Sequence, residues 1–146
     1  MQSTRDWTPD DLFGELSKSY LARSTALSPV YATYLGDHRF DGELDEVGEE
    51  ARAQTISFCN EYLGRLEKVP RDHLSQANQI DAALLEHELR RTLWRLEVLQ
   101  EWAWNPLGYT DLCGRAIYSL MARDFAPIAK RLSSVADRLE KLPRLL

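Results

Sequence analysis

One stretch of the sequence approaches a catalytic motif, a histidine followed by a glutamate at His87 and Glu88. In the metallopeptidase motif His-Glu-x-x-His, two histidines four residues apart share a helical face and bind zinc, and the glutamate activates the bound water. Arg91 stands where the second histidine is needed, and the other two histidines, His38 and His73, lie outside this stretch. The sequence therefore predicts no catalytic residue, no metal ligand and no cofactor site within this chain.

Acidic side chains are concentrated in residues 37–50, a pattern that could indicate a calcium-binding loop. A calcium loop that began at Asp37 would need an oxygen ligand at its third position and a bidentate glutamate at its twelfth. Arg39 and Gly48 occupy those two positions. We therefore predict a solvated loop that supplies acidic residues to the start of the next helix.

The two cysteines, Cys59 and Cys113, are far apart, and each lies in an apolar segment with no histidine near it in the sequence. Buried, reduced thiols are typical of such cysteines, and they favour a cytoplasmic protein. Residues 1–6 lead into no apolar region of the kind that marks a signal peptide. No apolar run approaches the roughly 20 residues that a membrane-spanning helix needs, so no membrane partner is expected.

Two groups of side chains could line a ligand cleft. The first is the charged triplet Asp37-His38-Arg39, which directly follows Gly36, although a surface loop is the favoured explanation of it. The second is an aromatic group formed by Trp94, Trp102, Trp104 and Tyr109. Because these aromatic residues combine a large apolar body with one polar tip, they suit either a packed corner or a ligand pocket.

Helical periodicity extends through almost the whole chain, and no alternating strand pattern of useful length is present. Apolar spacing, capping residues and breakers predict helices over residues 8–26, 30–35, 49–68, 76–104, 112–123 and from 127 onward. Between them lie a loop at 36–48 and a turn at 105–111. The predicted fold is all-α, about six helices in an irregular antiparallel bundle, forming a single helical domain over 1–146 or the N-terminal part of a larger helical protein.

The fourth and sixth helices have the clearest apolar stripes. No glycine or proline interrupts residues 76–104, which predicts one long helix in which about 26 residues at 1.5 Å each span roughly 39 Å. Its stripe consists of Ile80, Leu84, Leu85, Leu89, Leu93, Leu96 and Leu99. The stripe of the sixth helix consists of Ile128, Leu132, Val135, Leu139 and Leu142.

Composition limits the partners. The net charge of −5 argues against a nucleic-acid-binding protein. The apolar end of the sequence, Leu145-Leu146, is compatible with a longer chain, although a docked tail would also explain it.

Several stretches, in this order, resemble one protein family: residues 29–42, 79–85, 101–109, 122–127 and 138–143. Together they are similar to the N-terminal region of the bacterial domain of unknown function 885, and the resemblance covers about residues 28–146. Members of that family look like helical zinc metallopeptidases of the gluzincin kind. Their zinc-binding helix and later glutamate ligand belong to a C-terminal part beyond the region matched here.

The resemblance implies that this chain is a non-catalytic N-terminal segment, and that zinc belongs to the full-length family members. Its partner would be the missing C-terminal catalytic half, and its helices would wall one side of a cleft for a peptide substrate. His38, Arg39, Asn105 and Tyr109 are the candidates to face that cleft. The alternative is a self-sufficient helical module that binds a protein partner and has no enzymatic activity.

Overall fold

The computed structural model describes residues 7–145, and in that range the chain is helical and contains no strand, which confirms the predicted all-α class. Residues 1–6, on which the signal-peptide prediction rests, and Leu146 lie outside the described residues. The α-helices are α1 (Pro9–Leu27), α2 (Pro29–Leu35), α3 (Glu49–Leu66), α4 (Gln76–Trp94), α5 (Glu101–Trp104), α6 (Leu107–Met121) and α7 (Ile128–Lys141). Short 3₁₀ turns cover His38–Phe40, Arg71–His73 and Leu142–Leu145, and a π-helical segment covers Arg95–Leu99.

The ends of the first two helices follow from local signals. Thr8 accepts a hydrogen bond from the Asp11 backbone N–H (3.1 Å), and the Asp11 carboxylate accepts one from the Thr8 backbone N–H (3.0 Å). This reciprocal cap satisfies two donors that the helix leaves free. At the end of α2, Gly36 has a φ of 91°, a left-handed conformation that glycine adopts without strain.

The chain divides into two compact units. The first comprises residues 1–22 and 53–99, and the second comprises residues 23–52 and 100–146. Helices α1 and α3 each contribute residues to both units. Each unit has its own group of buried apolar side chains, and the single-domain description of 1–146 stays a prediction.

The core of the first unit joins α1, α3 and α4. Its buried residues are Phe13, Leu16, Phe58, Cys59, Tyr62, Leu66, Val69, Leu74, Ala82 and Leu89. The fully buried Tyr62 hydroxyl lies 2.6 Å from the hydroxyl of Ser19, so its polar tip is satisfied within the core. Burial, together with the charges of Glu88 and Glu97, raises the pKa of the Cys59 thiol to about 11. The prediction of a buried, reduced thiol is confirmed for Cys59, whereas Cys113 is only half-buried.

The prediction of one long helix over residues 76–104 is wrong beyond Trp94. Helix α4 ends at Trp94, five residues adopt π-helical turns, and Gln100 then takes a left-handed conformation with φ of 50°. The wider π-helical turn shifts the register, so the apolar periodicity of a straight helix does not continue through it. No glycine or proline marks this break, which is why the pattern of residue types does not reveal it.

The apolar stripe predicted for the fourth helix is only partly buried. Leu89 is buried and Leu85 and Leu93 pack against the first core, but Ile80 and Leu84 are exposed. The small residue Ala82 takes the buried position instead.

Helix α6 begins five residues earlier than predicted, at Leu107 instead of residue 112. The side-chain oxygen of Asn105 accepts a hydrogen bond from the Leu107 backbone N–H at 3.1 Å. Pro106 follows with a fixed φ that suits a helix start. The Asn-Pro pair, which the sequence suggests as a turn, therefore opens a helix.

The second unit is organised around a buried arginine. Val30, Leu44, Ala116 and Leu145 form its apolar core. Next to them the Arg138 side chain of α7 is completely buried, and its guanidinium donates to the carbonyl oxygens of Ala116 (2.7 Å) and Glu43 (2.8 Å) and to the Thr33 hydroxyl (2.7 Å). One side chain thus connects α2, the loop at 36–48, α6 and α7.

Helix α7 buries its arginines and exposes its leucines. Arg131 is also buried, and it donates to the carbonyl oxygens of Ala126 and Arg123 and pairs with Asp124. Leu132 and Leu139 each directly follow one of these arginines, so they lie about 100° further round the helix, and each is 50% exposed. Of the apolar stripe that the sequence shows on this helix, Ile128, Leu132 and Leu139 are therefore exposed, Val135 is half-buried, and Leu142 packs against the second core.

We predict that Leu89→Ala lowers the free energy of unfolding by about 2–5 kcal/mol, because it removes apolar contacts and leaves a cavity in the first core. Leu84→Ala is the matched control on the same helix, because Leu84 is 62% exposed and Leu89 is 1% exposed. The Leu84→Ala substitution should lower the free energy of unfolding by less than about 0.5 kcal/mol. Denaturant unfolding measures both variants, and equal losses would contradict the described packing of α4.

We predict that Arg138→Ala lowers the free energy of unfolding by about 3–5 kcal/mol, because several buried acceptors lose their donor together. Arg144→Ala is the control, since Arg144 forms an exposed ion pair with Glu46 (3.1 Å) and should contribute less than about 1 kcal/mol. Denaturant unfolding of the two variants gives the comparison. A loss below about 1 kcal/mol for Arg138→Ala would contradict the central role of the buried guanidinium.

Candidate functional site

The loop at residues 36–48 folds back onto the start of α2. The Asp45 carboxylate accepts hydrogen bonds from the Ser28 hydroxyl (2.7 Å) and the Val30 backbone N–H (2.8 Å), so it caps the helix from a distance in sequence. Burial raises the pKa of Asp45, and these two hydrogen bonds and the charge of Arg138 act in the opposite direction. The loop is therefore held in place by specific contacts, which fixes the residues that lie on it.

Two neighbouring side chains fix the orientation of the His38 ring. Its Nδ1 lies 3.1 Å from the carboxylate of the buried Asp41, and its ring stacks on Phe125 with the ring centres 3.7 Å apart. Asp41 in turn accepts a hydrogen bond from the Thr33 hydroxyl (2.9 Å), to which Arg138 donates. The ring is half-buried, and its orientation depends on the buried arginine network.

Arg39 is paired locally and lies on the surface. Its guanidinium donates to both carboxylate oxygens of Asp37, at 2.6 and 2.8 Å. These hydrogen bonds and the positive charge hold the pKa of Asp37 well below its usual range. Because both side chains are partly solvated, such a pair contributes little to stability.

Asn105 and Tyr109 support the turn between α5 and α6. Asn105 accepts from the Leu107 backbone N–H and donates to the Glu101 carboxylate (3.2 Å), and the Tyr109 hydroxyl donates to the Trp102 carbonyl oxygen (2.8 Å). Both side chains are half-buried.

The four sequence-predicted candidates thus form two separate pairs. His38 and Arg39 bind Asp41, Phe125 and Asp37, whereas Asn105 and Tyr109 bind residues of their own turn. Their contacts are those of residues that shape the backbone, and their position at a peptide cleft stays a prediction.

A groove between α2 and α6 forms a concave surface in the second unit. Its volume is about 530 Å³, within the roughly 300–1,000 Å³ of ligand sites. Three exposed tyrosines, Tyr31, Tyr34 and Tyr118, line it, and we call it the tyrosine groove. Val30 and Leu112 add apolar surface. The rings of Tyr31 and Tyr34 stack with their centres 5.9 Å apart, so they present a continuous aromatic surface.

Two arginines give the tyrosine groove a positive rim. Arg123 donates to the Tyr34 carbonyl oxygen at 2.9 Å, and its guanidinium lies over the Tyr34 ring, 5.3 Å from the ring centre. Arg115 forms an exposed pair with Asp111 on its own helix (2.7 Å). Arg131 holds the backbone of Arg123 through the carbonyl oxygen of that residue (2.9 Å). An anionic group in the groove would therefore meet two cations that are already placed.

Sequence reasoning missed the residues of this groove. Tyr31 and Tyr34 lie within residues 29–42, but their spacing of three on a short helix gave no indication of a facing helix. Tyr118 and Arg123 are far from them in the sequence, and the groove exists only because α2 packs beside α6.

The described part of the chain contains no candidate metal centre. Within residues 7–145, no three histidine, cysteine, aspartate or glutamate side chains are grouped so that they could hold a metal ion. His87 is exposed on α4. None of the helices in that same range combines the length and the apolar character that a bilayer span requires.

Comparison with known proteins gives one family and one similar structure. A family profile described as "Bacterial protein of unknown function (DUF885)" matches residues 29–146. A solved structure from Shewanella oneidensis, described as "a putative lipoprotein of unknown function", superposes with a TM-score of 0.84 at 28% sequence identity. The match covers 91% of this chain and 24% of that one, so this chain spans about a quarter of its length. No curated protein matches significantly.

Proposed function

The chain belongs to the bacterial family of unknown function DUF885, and from that premise we propose that it is the N-terminal helical segment of a longer zinc-dependent hydrolase of the metallopeptidase kind. In this proposal the segment is not catalytic alone. It supports a catalytic part and walls one side of a peptide cleft.

The observation that carries the proposal is the outward face of α7. Ile128, Leu132 and Leu139 are exposed there, and Val135 lies between them. Their spacing of four, three and four residues is the pattern that packs against another helix. Ala129 and Ala136 lie along the same face and are also exposed, so a partner helix could approach closely. No charged residue occupies this set of positions.

Such a face is unusual on a protein that is complete in itself. Large exposed apolar patches mark interaction surfaces, since soluble monomers rarely present them. The similar Shewanella structure has a chain about four times as long as the matched region, which leaves ample chain to cover α7. We therefore assign the covering element to the rest of a longer family protein.

In this proposal the catalytic residues belong to the rest of the longer protein. Residues 7–145 offer no metal centre, so the zinc expected in full-length members would be bound elsewhere. His38, Arg39, Asn105 and Tyr109 keep their proposed place at the cleft, with His38 the best positioned of them because Asp41 and Phe125 fix its ring.

Two cellular locations compete. The reduced cysteines favour the cytoplasm, whereas the similarity to a protein described as a lipoprotein favours the cell envelope. We retain the cytoplasm as the proposal from the sequence, and fractionation of the native protein distinguishes the two.

The alternative function, a self-sufficient helical interaction module, is favoured by a different observation. The second unit has a closed hydrogen-bond network around Arg138, and no buried side-chain nitrogen or oxygen of the described residues lacks a partner. A segment with this internal order could fold without help.

The coding sequence and its product test the zinc proposal. We expect the reading frame to continue past Leu146 into a His-Glu-x-x-His motif, and the complete gene product to contain about one zinc ion per chain. The control is the polypeptide 1–146 purified in the same way, which should contain almost none. A natural stop codon directly after Leu146, or a complete product without zinc, would sink the proposal.

A double substitution on α7 tests the docking face. The isolated polypeptide 1–146 leaves this face uncovered, so we expect it to self-associate there. Leu132→Glu with Leu139→Glu should reduce that self-association and leave the melting temperature nearly unchanged, because both side chains are half-exposed. Leu120→Glu on α6 is the control, since Leu120 is fully buried and a charge there should unfold the second unit. Analytical ultracentrifugation and thermal melting give the readouts. A large loss of stability in the α7 variant would show that the leucines are needed inside.

A further inference from the structure

We propose that the tyrosine groove binds an extended acidic peptide, with one carboxylate on Arg123 and a second on Arg115. The inference concerns a site within the second unit alone. It does not depend on zinc or on peptide hydrolysis, and it names acidic peptides, a narrower ligand class than the peptide cleft of the proposed function.

Arg123 is a fixed cation without an anionic partner. Its backbone is held by Arg131, and its guanidinium by the Tyr34 carbonyl oxygen and ring. Among residues 7–145 no carboxylate pairs with it, although the adjacent Asp124 pairs with Arg131. An arginine has five N–H donors, and one of them is used here, so the remaining donors can bind a carboxylate of a ligand.

Arg115 can exchange its present partner at little cost. Its pair with Asp111 lies on an exposed helix surface, with side chains 60% and 63% exposed. Pairs of this kind contribute only about 0.3–0.5 kcal/mol. A ligand carboxylate that arrives inside the groove, beside aromatic rings, would bind in less water and compete successfully.

The separation of the two cations favours a peptide over a small acid. Arg115 lies six residues, about 9 Å of helix, before the end of α6 at Met121, and Arg123 lies two residues beyond that end. Four extended residues span about 13–14 Å, so acidic side chains at positions one and five of a peptide reach both cations. Those side chains also point to the same side of an extended chain. One aromatic acid cannot bridge that distance.

The middle of the groove suits an apolar or aromatic side chain. Tyr31 and Tyr34 present stacked rings, and Tyr118 is 72% exposed on the facing helix. Aromatic pairs add about 0.5–1.5 kcal/mol beyond the area that they bury. Asp45 also lies in the groove, where its carboxylate accepts hydrogen bonds from Ser28 and Val30 and is offset by the charges of Arg138 and Arg115, which reduces its repulsion of an acidic ligand.

The test measures fluorescence anisotropy of a fluorescein-labelled peptide, Glu-Ala-Phe-Ala-Glu-amide, with the complete gene product. We expect saturable binding that weakens as salt is raised, because charge pairs carry much of the affinity. The matched peptide Lys-Ala-Phe-Ala-Lys-amide carries the same label and should not bind. Equal binding of both peptides, or binding of neither, would overturn the proposal.

Single substitutions test whether the peptide binds in the tyrosine groove. Arg123→Gln should weaken binding about tenfold or more, since it removes a charge-assisted hydrogen bond. Lys130→Gln removes an exposed cation of α7 outside the groove and should leave binding within about twofold of the wild type. Tyr118→Ala provides a second probe that leaves the core intact, and it should weaken binding several-fold. An affinity unchanged by Arg123→Gln and by Tyr118→Ala would exclude the tyrosine groove as the site.

Two further outcomes count against the proposal. Free N-acetylphenylalanine that displaces the peptide at comparable affinity would show that no bridge between the arginines forms. Self-association that hides the groove, seen as peptide binding that falls when the protein is concentrated, would assign the groove to a second copy. Loss of zinc does not affect this readout, so the groove and the zinc-hydrolase proposal fail independently.

Discussion

The burial of Arg138 is the constraint on which the second unit depends. A guanidinium can be removed from water only if its donors find acceptors, and here α2, the loop at 36–48 and α6 supply them. With Arg131 and Arg138 directed inward, Leu132 and Leu139 lie about 100° further round α7, where they are half-exposed. This flank of the helix is the surface that, in our proposal, a longer protein covers.

The same network extends to the candidate residues. Arg138 binds Thr33, Thr33 binds Asp41, and Asp41 orients His38. Arg131 acts similarly at the other end of α7, where it holds the backbone that carries Arg123. Two buried arginines on one helix therefore set both the orientation of His38 and the positive rim of the tyrosine groove.

The class of fold and most helix boundaries could be predicted from the sequence, because Thr8, Gly36 and the apolar spacing are local signals. The buried side of α7 could not be predicted in this way. Periodicity shows that a helix has an apolar stripe and a polar face, and the usual expectation is that the apolar stripe is buried. In α7 that expectation fails, because Arg138 is buried instead. The break at Gln100 has no glycine or proline to announce it. The tyrosine groove joins α2 to α6 across some 80 residues of sequence, so its members have no local pattern in common.

Accessibility of α7 in two forms of the protein tests the central claim most directly. Leu132→Cys in a Cys113→Ser background can be labelled with a maleimide, while the native Cys59 stays buried. The account predicts rapid labelling in the polypeptide 1–146, because the face is open, and strong protection in the complete gene product, because another helix covers it. Slow labelling in both forms would place the leucines inside, and rapid labelling in both would leave the face without a partner.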